Sequence, residues 1–172
     1  MSLENKTVAV TGASGMIGVY ICRSLLRSGA KVIGVVRTPS KAAFLSEEGV
    51  EFRKADLNDP AALKEAFTGC DAIVSNAAMY IATKSFSDWS SHEKANLEGT
   101  SNVMKAANLA GVKRVIQIST FGVYKFSIFR TLTEQSAQID GAKRKGGAYR
   151  ATKQTSEVLA WKIASDKGLD LT

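Results

Sequence analysis

A tyrosine and a lysine near the C-terminal end carry the clearest chemical signal. The stretch YRATK places Tyr149 and Lys153 four positions apart, and residues at this spacing lie on one face of a helix. A tyrosine with its ordinary pKa of about 10 is a poor acid–base catalyst at neutral pH. A neighbouring ammonium favours the phenolate and lowers that pKa. The pair therefore predicts a proton-exchanging tyrosine, although a solvated tyrosine–lysine pair without a catalytic role has the same spacing.

Two hydroxyl residues precede this pair at the end of an apolar run. The run RVIQIST, residues 114–120, is typical of a strand and brings Ser119 and Thr120 to its carboxyl end. Open α/β sheets bind their ligands at that edge. Either hydroxyl suits a hydrogen bond to a substrate carbonyl. Asn96, on the inner stripe of the preceding helix, is expected to hold a backbone kink or a water in a proton relay.

Three glycines follow the first β-branched run. In TVAVTGASGMIG they stand at Gly12, Gly15 and Gly18. A strand that enters a helix through a tight turn points free N–H groups and the helix dipole at one place, which attracts phosphate. Gly12 would form the turn, Gly15 would admit a pyrophosphate, and Gly18 would let helix and strand pack closely. The spacing differs from G-x-G-x-x-G, and alone it also fits a simple packing turn.

The end of the second strand bears on the choice of dinucleotide. Folds that select NAD place an acid there for the ribose 2′-hydroxyl, whereas an arginine accommodates the 2′-phosphate of NADP. This chain reads VVRTPSK, with Arg37 and no acid. We expect Arg37 to grip the 2′-phosphate with support from Ser14 and Lys41, so NADP is preferred over NAD. An ordinary surface arginine is the alternative.

The elements that must position these residues alternate between short β-rich runs and longer helical ones, which predicts repeated βαβ units. The fold class is therefore α/β, a doubly wound parallel sheet with helices on both faces. Asp59 is the expected N-cap of the third helix, and 121–147 is expected to be irregular. The predicted strands are 7–10, 31–36, 50–55, 72–78, 114–120 and one beginning in 168–172, and the predicted helices are 16–28, 39–46, 60–67, 90–110 and 148–167.

Composition limits the other classes of function. The 172 residues suit one domain and carry a net charge of +7. The basic residues are scattered apart from AKRKGG at 142–147, so we expect no nucleic-acid partner. No stretch is apolar enough to span a membrane, and the N-terminus lacks the layout of a signal peptide, which favours a cytoplasmic protein.

The few metal-binding side chains are scattered as well. Cys22 and Cys70 lie in apolar segments and form no ligand pattern, so we expect reduced core cysteines and no metal. His92, the single histidine, is expected to face solvent.

Six motifs occur in an order that resembles the extended branch of the short-chain dehydrogenase/reductase superfamily. They are TGASGMIG, ADLND, SNAAMY, NLEGTSNVMKAA, ISTFGVY and YRATK. The resemblance covers nearly the whole chain and implies a Rossmann fold. Members of this branch continue well past the sixth strand, so 1–172 is expected to be the NAD(P)-binding domain without the C-terminal portion that shapes the substrate pocket.

The resemblance also implies roles for individual residues. Thr120 is the expected catalytic hydroxyl, with Ser119 as the close alternative. Tyr149 is the expected general acid–base and Lys153 its activating partner. The expected cofactor contacts are Gly12, Ser14, Gly15, Met16, Ile17, Gly18, Arg37, Asp56, Leu57, Ala77, Ala78 and Lys153.

The implied activity is that of an NAD(P)-dependent oxidoreductase acting on a small-molecule carbonyl or alcohol. One alternative is an NAD-dependent epimerase or dehydratase with a sugar-nucleotide substrate. Another, of a different class, is a non-catalytic NADP-sensing regulator. The family often pairs through its long helices, so a homodimer is expected here.

Overall fold

A computed structural model describes residues 2–80, 89–126, 128–129, 131–143 and 147–172. Its centre is a parallel sheet of six strands in the order β3-β2-β1-β4-β5-β6. This confirms the doubly wound α/β fold. The strands are β1 (Thr7–Thr11), β2 (Lys31–Val36), β3 (Glu51–Lys54), β4 (Ala72–Ser75), β5 (Arg114–Gln117) and β6 (Asp170–Leu171).

Helices connect the strands, close to the predicted positions. The single predicted helix 39–46 is a 3₁₀ turn, Pro39–Ala42, followed by a short α-helix. Asp59 caps the third helix as expected, accepting hydrogen bonds from the N–H groups of Ala61 and Ala62 at 3.1 and 3.0 Å. The α-helices are α1 (Met16–Arg27), α2 (Ala43–Glu47), α3 (Pro60–Phe67), α4 (Trp89–His92), α5 (Gly99–Leu109) and α6 (Ala148–Lys167).

Two apolar clusters, one on each face of the sheet, hold the layers together. Strands β1 and β2 are almost entirely buried, as parallel strands covered on both faces must be. One face packs against α3, α5 and α6 through side chains such as Phe67 and Met104. The other packs against α1 and α2 through Cys22 and Leu45. Cys22 is a buried free thiol as expected, and Cys70 is free and partly buried.

The inner strands end earlier than the sequence predicts. β4 stops at Ser75 rather than 78, and β5 at Gln117 rather than 120. The residues beyond these ends make other hydrogen bonds: Asn76 N–H donates to the Thr11 hydroxyl at 3.0 Å, and Thr120 caps a 3₁₀ turn, Phe121–Val123. Because all carboxyl ends share one edge, these released segments border the gap between β1 and β4, where the strand order reverses.

The long helix predicted for 90–110 is interrupted by a π-helical segment, Glu93–Glu98, between α4 and α5. The expectation that His92 faces solvent is wrong, because its side chain is fully buried. The inner stripe predicted for this helix comprises Asn96, Thr100, Val103, Ala107 and Ala110; the first four are buried, and Ala110 is partly buried against the same apolar cluster.

The segment between β5 and α6 is irregular, as predicted. It contains two 3₁₀ turns, Phe121–Val123 and Gly141–Lys143, and an antiparallel bridge between Tyr124 and Gln138. Residues 144–146 of the basic stretch at 142–147 lie outside the described residues. Within the described ranges, every helix is too short or too polar to cross a membrane.

Candidate functional site

A cavity of about 740 Å³ opens at the carboxyl edge of the sheet. Most of the residues expected to bind a cofactor line it, whereas Gly18, Thr120 and Asn96 lie outside its lining. The lining comes from five strand ends, the start of α1, the π-helical segment and α6: Thr11, Gly12, Ser14, Gly15, Met16, Ile17, Val35, Val36, Arg37, Ala55, Asp56, Leu57, Asn58, Asn76, Ala77, Ala78, Met79, Tyr80, Ala95, Ile118, Ser119, Tyr149 and Lys153.

The glycine turn is packed too tightly for larger residues at two of its positions. Gly12 has a φ of +65°, and a Cβ there would lie 2.9 Å from the Cα of Ala77. A Cβ at Gly18 would lie 2.2 Å from the carbonyl oxygen of Gly12. Gly18 is thus needed for the packing of α1 against the turn, while Gly12 brings the turn against the end of β4.

The start of α1 fits a phosphate group. Gly15 is the N-cap and offers no side-chain acceptor, so the first N–H groups of the helix face the cavity without a capping side chain. No acidic residue stands in the first turn. Met16 and Ile17 are 79% and 53% exposed, an unusual state for large apolar side chains at the mouth of a cavity. These features suit the pyrophosphate of a dinucleotide.

Thr11 is a site residue that sequence reasoning missed. Its side chain is 1% exposed, and its hydroxyl accepts hydrogen bonds from the N–H groups of Asn76 at 3.0 Å and Ala77 at 3.1 Å. It therefore joins β1 to the segment after β4 at the bottom of the cavity. In the sequence, the signal for this role is a threonine that ends the first apolar run immediately before the first glycine.

Two of the three residues expected to bind the 2′-phosphate line the cavity. Arg37 and Ser14 both line the cavity and are both exposed. Lys41 is exposed on the 3₁₀ turn after β2 and is not part of the lining. Asp56 lines the cavity too, but its Oδ1 accepts hydrogen bonds from Asn58 N–H and Nδ2, both at 2.8 Å.

Tyr149 lies half-buried at the other end of the cavity. Burial raises its pKa above the ordinary value, a hydrogen bond from Thr120 opposes that rise, and the neighbouring Tyr80 adds to it. The Tyr80 ring meets the Tyr149 ring edge-on, with centroids 4.7 Å apart. The sequence pattern predicts a lowered pKa. The structure gives the opposite direction, because desolvation outweighs the favourable contacts.

Lys153 is turned to the backbone rather than to solvent. It is 4% exposed, and its Nζ donates a hydrogen bond to the carbonyl oxygen of Ile118 at 2.6 Å. Burial lowers its pKa, and the negative charge of Glu157 partly offsets this. Lys153 thus links α6 to the end of β5 on the cavity wall, one helical turn from Tyr149.

The two candidate hydroxyls have different partners. Thr120 accepts a hydrogen bond from Gly122 N–H at 3.2 Å, and its side chain lies close enough to Tyr149 to oppose the rise in that residue's pKa. Ser119 donates to Glu157 Oε2, and Gln138 Nε2 donates to Glu157 Oε1 at 2.8 Å. The geometry therefore favours Thr120 as the partner of the tyrosine and gives Ser119 a role in holding β5 to α6.

Asn96 acts as a clamp inside the π-helical segment. Its Oδ1 accepts from Met79 N–H at 2.8 Å, and its Nδ2 donates to Met79 O at 3.3 Å and to Thr152 Oγ1 at 3.0 Å. These bonds connect the cavity segment after β4 with α6. In the ranges that the structure describes, acidic, histidine and cysteine side chains form no group able to hold a metal.

Comparison with known proteins agrees with this arrangement. The model of the NAD dependent epimerase/dehydratase family matches residues 8–172. The chain belongs to that family. This confirms the resemblance found in the sequence motifs.

Among individual relatives of this family member, cinnamoyl-CoA reductase 1 of Petunia hybrida is 34% identical over 182 residues, covering 99% of this chain and 53% of that protein. Vestitone reductase from alfalfa (Medicago sativa L.) is 25% identical with a TM-score of 0.78, covering 96% of this chain and 55% of that one. MoeE5, solved with UDP-glucose and NAD, is 27% identical with a TM-score of 0.79, covering 96% and 52%. The chain spans about half the length of the curated relatives it matches.

The buried lysine predicts a pH dependence of folding. Because burial lowers the folded-state pKa of Lys153, there is a pH range in which the unfolded chain still holds a proton that the folded chain has released. Stability rises with pH wherever the unfolded state binds more protons. The free energy of unfolding should therefore increase with pH through that range, and Lys153→Met should remove this part of the increase. Urea denaturation of both proteins across neutral and alkaline pH measures it, and parallel profiles would contradict the burial of this charge.

Proposed function

We propose that this chain is the cofactor-binding part of an NADP-dependent oxidoreductase that acts on a carbonyl or alcohol carbon of a small molecule. The observation that carries the proposal is the position of Tyr149 and Lys153 on the wall of the cavity that the glycine turn opens onto. A phosphate cradle and an acid–base pair thus share one cavity. The similarity to a cinnamoyl-CoA reductase and to vestitone reductase supports a reductase rather than an epimerase.

In the proposed mechanism the turn between β1 and α1 would hold the pyrophosphate, and Lys153 would hold a ribose hydroxyl. When bound, the nicotinamide supplies or accepts the hydride. Tyr149 Oη gives its proton to the carbonyl oxygen in reduction or takes one in oxidation. The Thr120 hydroxyl, which lies beside Tyr149, stabilises the oxyanion side of this exchange. The ammonium of Lys153, one helical turn from Tyr149, would stabilise the phenolate.

The raised pKa of Tyr149 has a consequence for this mechanism. At neutral pH the residue is protonated, so it is set up to donate a proton, which is the need of carbonyl reduction. Oxidation of an alcohol requires the phenolate and is expected to need a higher pH. A protonated Tyr149 is thus compatible with its proposed role as the proton donor in carbonyl reduction.

An epimerase or dehydratase is the second candidate. It is favoured by the likeness to MoeE5, which was solved with UDP-glucose and NAD. In that chemistry the same groups oxidise and re-reduce one substrate without net consumption of the cofactor. A cofactor that stays bound through turnover, with no net NADPH consumed, would distinguish this candidate from the reductase.

Replacement of Tyr149 tests the assigned acid–base role. Tyr149→Phe removes the exchangeable proton while keeping the ring against Tyr80. We expect a loss of turnover of at least about 100-fold, the usual contribution of a general acid. Cofactor affinity, measured by fluorescence titration, should change little. Tyr80→Phe is the matched control, and full activity in Tyr149→Phe would exclude the assignment.

The preference for NADP is a separate proposal supported by Arg37 and Ser14, which both line the cavity and are exposed. Arg37→Met should weaken NADP binding by roughly ten-fold or more, the effect of losing a charge-assisted hydrogen bond of about 1.5–3 kcal/mol. NAD binding should be little changed. Calorimetric titration with both dinucleotides measures this, with Arg27→Met at the exposed end of α1 as the control. Tighter binding of NAD than of NADP by the unsubstituted protein would overturn the proposal.

We also propose a homodimer that forms through α5 and α6. Val158 and Trp161 stand three residues apart on α6 and are 54% and 52% exposed, and Leu109 at the end of α5 is 63% exposed. Trp161→Asp should convert a dimer to a monomer in sedimentation velocity runs. Phe44→Asp, which places the same charge on the exposed part of α2, should not. A monomeric unsubstituted protein would rule the dimer out.

A further inference from the structure

Arg150, the residue after Tyr149, is directed across the first turn of α6 to the segment that follows β5. Its Nε donates a hydrogen bond to the carbonyl oxygen of Gly122 at 2.7 Å, and its Nη2 donates to that of Tyr124 at 3.1 Å. The guanidinium also lies over the Phe126 ring, 4.9 Å from its centroid. One side chain thus contacts three alternate residues of the segment after Thr120, namely Gly122, Tyr124 and Phe126.

The contact with Gly122 leads directly to the candidate catalytic hydroxyl. The carbonyl of Gly122 accepts from Arg150, while its N–H donates to Thr120 Oγ1 at 3.2 Å. Because Gly122 N–H occupies an acceptor position of the hydroxyl, the hydroxyl hydrogen remains to be donated to Tyr149 Oη. Burial raises the pKa of Tyr149, and the contact with Thr120 opposes that rise.

From these contacts we propose that Arg150 is a positioning residue. It holds the 3₁₀ turn Phe121–Val123 against α6 and thereby keeps the Thr120 hydroxyl on Tyr149. Both Tyr149 and Arg150 belong to the first turn of α6, so the helix that carries the tyrosine also sets the distance to its partner. The catalytic consequence rests on the proposed function, whereas the positioning itself does not.

The chemistry of the side chain explains why an arginine suits this place. A guanidinium donates in two directions from one plane, and it can stack on an aromatic ring at the same time. A lysine ammonium is a single point donor on a flexible stem. Arg150→Lys keeps the charge but reaches only one carbonyl well, and Arg150→Met keeps the apolar stem alone.

The direct test is the titration of Tyr149, followed by NMR in protein with ¹³Cζ-labelled tyrosine. The Tyr149 signal is assigned by its absence in Tyr149→Phe, since the chain has four tyrosines. Thr120→Val should move the titration of Tyr149 upward by about one pH unit, the equivalent of one hydrogen bond to a charged group. Arg150→Met should reproduce most of that change, and Arg150→Lys part of it.

The double variant separates positioning from a general loss of stability. If Arg150 acts through Thr120, Arg150→Met should add almost nothing in the Thr120→Val background. Arg53→Met is the matched control, because Arg53 Nη1 likewise donates to two backbone carbonyls, those of Ala66 at 2.9 Å and Thr68 at 2.8 Å, away from the cavity. It should lower stability and leave the Tyr149 titration in place.

Each outcome of these measurements either supports or overturns the positioning role of Arg150. An unchanged Tyr149 titration in Arg150→Met, or in Thr120→Val, would overturn the positioning role. A changed titration with an equal change in Arg53→Met would also overturn it, because the effect would then be one of stability. A changed titration specific to Arg150, together with the expected ten-fold or larger fall in kcat and an unaltered KM for the cofactor, supports both proposals. If the Tyr149 titration changes specifically in Arg150→Met but the unsubstituted protein shows no turnover, the positioning role of Arg150 stands. The proposed oxidoreductase activity is then excluded.

Discussion

The hydrogen bonds of the Thr11 hydroxyl hold together the two strands between which the cavity opens. The ladder between β1 and β4 ends at Val10 and Val74, and beyond it the Thr11 side chain takes over by accepting from Asn76 and Ala77. Ala77 is thereby kept against Gly12, at a distance that leaves no space for a Cβ. If this junction widened, the glycine turn would lose its support from β4, and the start of α1 would no longer face the same space as Tyr149.

The wall of the cavity opposite the glycine turn depends on α6, whose inner face carries mostly polar or small side chains. Its buried residues are Ala148, Ala151, Thr152, Lys153, Ser156, Ala160 and Ala164. An apolar face would have buried more hydrocarbon, but it would not have reached the backbone carbonyls, Asn96 and Ser119. The N-terminal half of α6 is therefore held mainly by directed hydrogen bonds, while its C-terminal half packs conventionally through Ala160 and Ala164. This division places the chemically important residues where geometry is fixed by bond direction.

The sequence was sufficient for the fold because its signals are local. β-Branched runs, the cap at Asp59 and the glycine turn each act within a few residues, and their positions were predicted correctly apart from the ends of β4 and β5. The proximity of Tyr149 and Lys153 follows from helix periodicity alone. The direction of the shift in the Tyr149 pKa could not be predicted from the sequence. It depends on burial and on Tyr80, which lies far earlier in the chain.

The choice between Ser119 and Thr120 was left open for the same reason. The hydroxyls differ through Glu157, Gln138 and Gly122, whose positions relative to Ser119 and Thr120 arise from tertiary packing, and Thr120 as the catalytic hydroxyl stays a prediction. His92 was misplaced because a histidine near a helix start usually faces solvent, whereas here it is fully buried where α4 meets the π-helical segment.

That π-helical segment also makes the number of residues between α4 and α5 matter. Each residue of an α-helix turns the chain by about 100°, and a π turn accommodates an extra residue relative to the α-helix on either side. With the present length, both Asn96 and the apolar pair Val103 and Met104 face inward. Deleting one residue from 93–98 would let the segment close into a regular α-helix, so α4 and α5 would keep their faces while the Asn96 amide would lose its place against Met79 and Thr152. The length of this stretch is therefore tied to the position of one amide rather than to the packing of the helices on either side.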